Sequence, residues 1–202
     1  MKKRIISWGI VAAVVLAIGW HFWSTRPVTL GPGIKARVDP VQTKIEDPQV
    51  FYIDDAKVTP LAEFQIRAKV LSTQRYRWDK SAKLSPVDLA LGWGNMSDEK
   101  IINKLNISQS SRWYRWSAKH PPILVKEIKE SSANMHIIPA DKEIRKTLKS
   151  VRKGQIVIIE GYLVRVDHPS GWKWVSSTSR KDTGGGACEI IYAKSLKIDK
   201  GA

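Results

Sequence analysis

Cysteine is nearly missing from this chain: Cys188 is the single one in 202 residues. That excludes an intramolecular disulfide and any zinc site built from several cysteines. Histidine is scarce as well. The four present include His120, His136 and His168, and they show neither H-x-x-x-H spacing nor a two-histidine, one-carboxylate cluster, so no metal site and no cofactor is expected. Acidic residues number 19 against 34 Lys and Arg, giving a formal charge of +15. A surplus of that size favours anionic neighbours and bears on encounter and solubility rather than on fold. Internal repeats and low-complexity tracts are missing, which excludes a solenoid. After the first two dozen residues no apolar run approaches membrane-spanning length.

What is present begins with an exception to that last absence. Residues 5–23 carry no formal charge and follow Lys2, Lys3 and Arg4. About 20 apolar residues at 1.5 Å each suffice to cross a bilayer, and Trp8, Trp20, Phe22 and Trp23 stand near the two ends. The sequence therefore predicts a transmembrane helix over 5–23. By the positive-inside rule residues 1–4 are cytoplasmic, and everything beyond Arg26 is periplasmic. The apolar run ends in Gly-Trp-His-Phe-Trp-Ser-Thr-Arg-Pro, without the small-residue pattern of a signal-peptide cleavage site. The expected location is the bacterial inner membrane, single-pass, with a periplasmic C-terminal domain. Setting aside Lys2, Lys3 and Arg4 leaves 31 basic residues against 19 acidic, a formal charge of +12 on the exported portion.

Residues 24–60 hold Pro27, Pro32, Pro40, Pro48 and Pro60 with Gly31 and Gly33, and they read as a Pro-rich stalk, although 50–53 has strand composition. Residues 61–202 form the expected α+β domain. Phe64, Ile66, Ala68 and Val70 alternate with polar residues, so 63–73 reads as a strand. Ser85-Pro86 reads as a helix entrance running to Leu91, and 97–105 as a second helical start. A strand follows at 112–117 and another at 135–138. Ile144, Leu148 and Val151 place one face of a helix over 141–151, which Gly154 ends. A long strand over 155–166 bends at Gly161, pairs with 172–177 through a turn at 168–171, and precedes a last strand or pair of strands over 187–198. A helix feeding a bent strand, a hairpin and a final strand suits a small OB-like Greek-key β-barrel with helical insertions.

Three phrases, Leu-Ser-Pro-Val-Asp-Leu-Ala-Leu-Gly-Trp-Gly at 84–94, Ser-Ala-Asn-Met-His-Ile-Ile-Pro at 132–139 and Asp-Thr-Gly-Gly-Gly-Ala-Cys-Glu at 182–189, together resemble uncharacterised bacterial single-pass membrane-anchored proteins. The resemblance implies an envelope location and brings no established activity or catalytic residue.

Four residues have chemistry to offer. His136 near Asn134 is a candidate general base, and Cys188 behind a glycine triplet a candidate nucleophile. Together they would make a thiol hydrolase. Against this, a histidine at a strand end and a small buried cysteine are ordinary structural residues. Asp182 opens an Asp-Thr-Gly triplet like that of aspartic proteases, but no second copy is present and a turn explains it. Aromatic and basic residues interleave at Arg75, Arg77 and Trp78, at Arg112, Trp113 and Arg115, and around Lys173 between Trp172 and Trp174. Such a surface stacks rings while its cations meet phosphate or carboxylate. The reading that follows is a membrane-anchored periplasmic binding or accessory domain whose partners are the membrane and an anionic envelope component or another envelope protein. A thiol hydrolase and an OB-like module for single-stranded nucleic acid are the alternatives, the latter disfavoured by the compartment.

Overall fold

The computed structural model describes residues 2–179 and 188–201, with side chains from residue 9 onward apart from 21 and 24. A long bent strand organises it. β3 (Ala56–Arg75) pairs antiparallel with β4 (Val87–Gly92) along one edge and with β8 (Ile156–Asp167) along the other. β4 pairs antiparallel with β7 (Ser132–Pro139), β7 runs parallel to β10 (Glu189–Asp199), and β10 returns antiparallel to β8. The five strands thus close into a ring. Bulges in β3 at Pro60/Ala62 and Val70/Ser72 let one strand serve both edges, and a proline is tolerated at such a bulge. Gly161 sits where the backbone of β10 crowds β8. A Cβ there would lie 1.9 Å from the Tyr192 carbonyl oxygen, so this position admits no side chain.

The interior of the ring is filled by Phe64, Ile66, Leu89, Leu91, Met135, Ile137, Val157, Ile159 and Ile191. Helix α4 (Lys142–Ser150) closes one end by laying Ile144 and Leu148 on this core, and its N-cap Asp141 accepts from Ile144 N at 2.8 Å. Chain between β4 and β7 forms an insertion over the outer face of β4. It comprises a 3₁₀ turn (Gly94–Ser97), α2 (Glu99–Ile102), the hairpin of β5 (Asn106–Ser110) and β6 (Trp113–Ser117), and α3 (Val125–Glu130). Its own core joins Leu71, Ala90, Met96, Leu105 and Ile128 to Tyr114 and Trp116. β9 (Lys173–Val175) pairs with the end of β8.

Two expectations are corrected. The fold is α+β with a mixed sheet and few helices, but no helix among the described residues is long and apolar enough to cross a membrane. α1 (Lys2–Thr25) is helical, but among the described residues it does not qualify as a membrane-crossing helix. The fold expected from sequence, a transmembrane helix followed by an OB-like barrel, is therefore set aside as a whole. The helix expected at 85–91 is strand β4 instead. Val87, Leu89 and Leu91 face the ring's interior while Ala90 faces the insertion, so the strand is buried on both faces, and the Ser85-Pro86 start signal outweighs its alternation.

Residues 24–60 contain β1 (Val41–Lys44) and β2 (Phe51–Ile53), both paired with β3. The stretch before them is laced to the body. Glu99 accepts from Leu30 N at 2.8 Å and Gly31 N at 2.9 Å, and Asp98 accepts from Gly33 N at 2.8 Å. Ser97 Oγ accepts from the main chain of Lys35 and Ala36.

Candidate functional site

The hairpin between β5 and β6 turns through Ser111 and Arg112 with φ of 51° and 68°. Two left-handed residues in succession match the twist of paired strands, but for residues with a Cβ the conformation costs about 1–2 kcal/mol each. The contacts of Arg112 offset that cost. Its Nη2 and Nε meet Asp79 at 2.8 and 3.1 Å, its Nη1 meets Asp88 Oδ1 at 2.6 Å, and Nη2 also donates to the Ser85 carbonyl at 3.0 Å. The guanidinium lies 3.8 Å from the centre of the Tyr76 ring. Its main chain is held too. Arg112 N donates to the Tyr76 hydroxyl at 2.9 Å, and Asn134 Nδ2 donates to the Arg112 carbonyl at 3.0 Å. Asn134 Oδ1 in turn accepts from Gln109 at 2.7 Å.

Asp88 and His136 stand opposite each other in the β4–β7 register and are 0% and 2% exposed. His136 Nδ1 is 2.9 Å from Asp88 Oδ2, an ion-pair distance. Neither atom completes a hydrogen bond, so the pair is a close approach rather than a hydrogen-bonded dyad. The other face of His136 meets the Trp174 ring at 4.6 Å. Burial pushes the Asp79 carboxyl up, but hydrogen bonds from Arg112 and Ser81 outweigh it and leave the group below its ordinary value. Burial raises the Tyr76 phenol.

Of the four residues singled out for catalysis, Asn134 and His136 share this cluster. Cys188 lies just ahead of β10, half-buried, with its carbonyl accepting from Ser177 N at 3.1 Å. Among the described residues, the ionic and ring contacts of His136 are Asp88 and Trp174. Asp182 lies outside the described residues. Of the residues singled out for binding, Arg112 is turned inward onto two carboxylates. Trp113 is 41% exposed, Arg115 bonds Ser110 Oγ at 2.9 Å on the surface, and Lys173 is exposed on β9. Among the described residues no group of three or more His, Cys, Asp or Glu is placed to hold a metal ion.

Arg75 and Arg77 come together with two cations that the sequence reading missed. They line a cleft of about 320 Å³ whose remaining walls include Tyr76, Arg145 and Lys149. Four cations converge and no carboxylate lines the cleft among the described residues. Arg145 Nη2 donates to the Lys83 carbonyl at 3.1 Å, and the Arg75 guanidinium donates to the Lys149 carbonyl, so main chain fixes both heads. A signal for Arg145 and Lys149 was available: with Ile144 and Leu148 on the buried face of α4, Lys142, Arg145, Lys146 and Lys149 must occupy the others. A second concavity of about 370 Å³ mixes Glu63 and Glu160 with Lys194, and it has no such polarity. Tyr76 is the wall between the Arg112 cluster and the cationic cleft.

No protein-family model matches the chain, and no curated protein or solved structure matches it either.

Proposed function

We propose that this chain is a non-catalytic binding domain that recognises an anionic ligand through the cleft between β3 and α4. The supporting observation is the convergence of Arg75, Arg77, Arg145 and Lys149 on one concavity that no carboxylate among the described residues lines, in a chain of formal charge +15. Guanidinium forks suit the paired oxygens of phosphate and carboxylate, and the lysine adds a point charge. Heads already anchored to main-chain carbonyls lose less freedom when an anion arrives. The groups suited to proton transfer, Asp88 and His136, are buried, whereas the cleft opens to solvent.

Calorimetric titration of the full chain with pyrophosphate tests this reading. Arg145→Gln with Lys149→Gln, both on a solvent-facing side of α4, should weaken binding at least about tenfold at low ionic strength. Unchanged affinity in the double variant would remove the cleft from the account.

A further inference from the structure

The loop joining β3 to β4 sorts its side chains in an unusual way. Ala82, Leu84 and Ser85 are buried, while Trp78, the bulkiest residue of the loop, is 94% exposed. This is not slack chain. Asp79 accepts from Ser81 N at 3.0 Å and Ser81 Oγ at 2.9 Å, its main-chain carbonyl accepts from Ala82 N, and Ser85 N donates to the Ser81 carbonyl. The fork from Arg112 clamps Asp79 from the other side. With Asp79 fixed inward, its neighbour Trp78 is held outward on a braced loop, where its indole stays in water at a hydrophobic cost. Cations flank it in sequence, Arg77 and Lys80, and Arg77 also lines the cleft that holds Arg75, Arg145 and Lys149.

We propose that this face docks on an anionic lipid surface, with Trp78 entering the headgroup layer and the cleft cations meeting lipid phosphates. The inference rests on the anion-binding reading of the cleft and names its ligand class. Indole rings favour the membrane interface, basic residues are attracted to anionic leaflets, and stable attachment takes an apolar and a basic signal together. Charge complementarity with the cationic cleft commits the surface to that partner. A nucleic-acid strand fits less well, since strand binding uses successive aromatic platforms. Trp78 stands alone in its loop, because the guanidinium of Arg112 already covers the ring of Tyr76.

The test uses the full chain with Cys188→Ser and Lys80→Cys, the new thiol carrying an environment-sensitive dye that reports on the loop itself. Vesicles containing phosphatidylglycerol should raise and blue-shift its emission at least several-fold more than pure phosphatidylcholine vesicles. Adding Trp78→Ala should abolish that response while leaving pyrophosphate binding unchanged. A silent dye in a protein that still binds pyrophosphate overturns lipid docking and spares the cleft. Loss of both signals overturns both readings. Equal responses to the two vesicle types, or a response to single-stranded oligonucleotide in place of vesicles, also overturns the proposal.

Discussion

Nη1 of Arg112 lies 2.6 Å from Oδ1 of Asp88, joining the tip of a hairpin to the start of strand β4, 24 residues away in sequence. Asp88 is entirely buried and the Arg112 side chain is 16% exposed. Taking such a pair out of water is costly, so its value lies in what fails when one member is lost.

Arg112→Ala should lower unfolding stability by about 3–5 kcal/mol, because it leaves the Asp88 charge buried without its partner. Asp88→Asn in the same chain should recover part of that loss, so the double variant costs less than the two single ones added together. Urea unfolding checks this. A cost for Arg112→Ala under about 1 kcal/mol would mean that the hairpin is held by its apolar underside, Tyr114 and Trp116, alone.

Ser111→Asn should stabilise the fold by a few tenths of a kcal/mol up to about 1. Ser111 is exposed with φ at 51°, and asparagine adopts that conformation at lower cost. An unchanged or lower melting temperature would contradict the turn geometry.

Glu99 carries the clearest pH dependence. Burial raises its carboxyl, but the hydrogen bond from Lys69 at 2.8 Å and those from the main chain of Leu30 and Gly31 outweigh it, so the folded value lies below the ordinary one. A depressed carboxylate contributes stability that is present above its unfolded value of about 4.3 and is lost as pH falls through the folded value. Acidification below about pH 4 should therefore loosen the 30–36 segment first, seen as faster amide exchange at Leu30 and Gly31. In Glu99→Gln with Lys69→Met the acid-dependent part of that exchange should vanish. Persistence of the full pH effect would assign it to other carboxylates.

Much of the strand framework was legible because its signals are local. Asp141 as cap, Ile144 and Leu148 on one face, Gly161 at a bend, and the Trp172–Trp174 alternation each act within a few residues, and the rings of the last two lie 5.6 Å apart with Lys173 exposed between them. β4 was not legible. A strand covered on both sides shows little contrast between its faces, and Ser85-Pro86 imitates a helix start. The charge-free run near the N-terminus suggested a span by its letter count, yet no described helix is long and apolar enough to be one. The site was half visible. Arg75 and Arg77 stood out beside aromatic rings, whereas Arg145 and Lys149 join them only through the packing of α4 against the ring. Arg112 looked like a surface cation because nothing local reveals that Asp79 and Asp88 converge on it.

The central claim is that anions enter the cleft between β3 and α4. Mapping amide chemical shifts of the full chain during pyrophosphate titration tests it most directly. The largest changes are expected at residues 75–77 and 145–149, saturating together with one affinity. Changes centred elsewhere, around Lys194 for example, or no saturable change at all, would contradict the account.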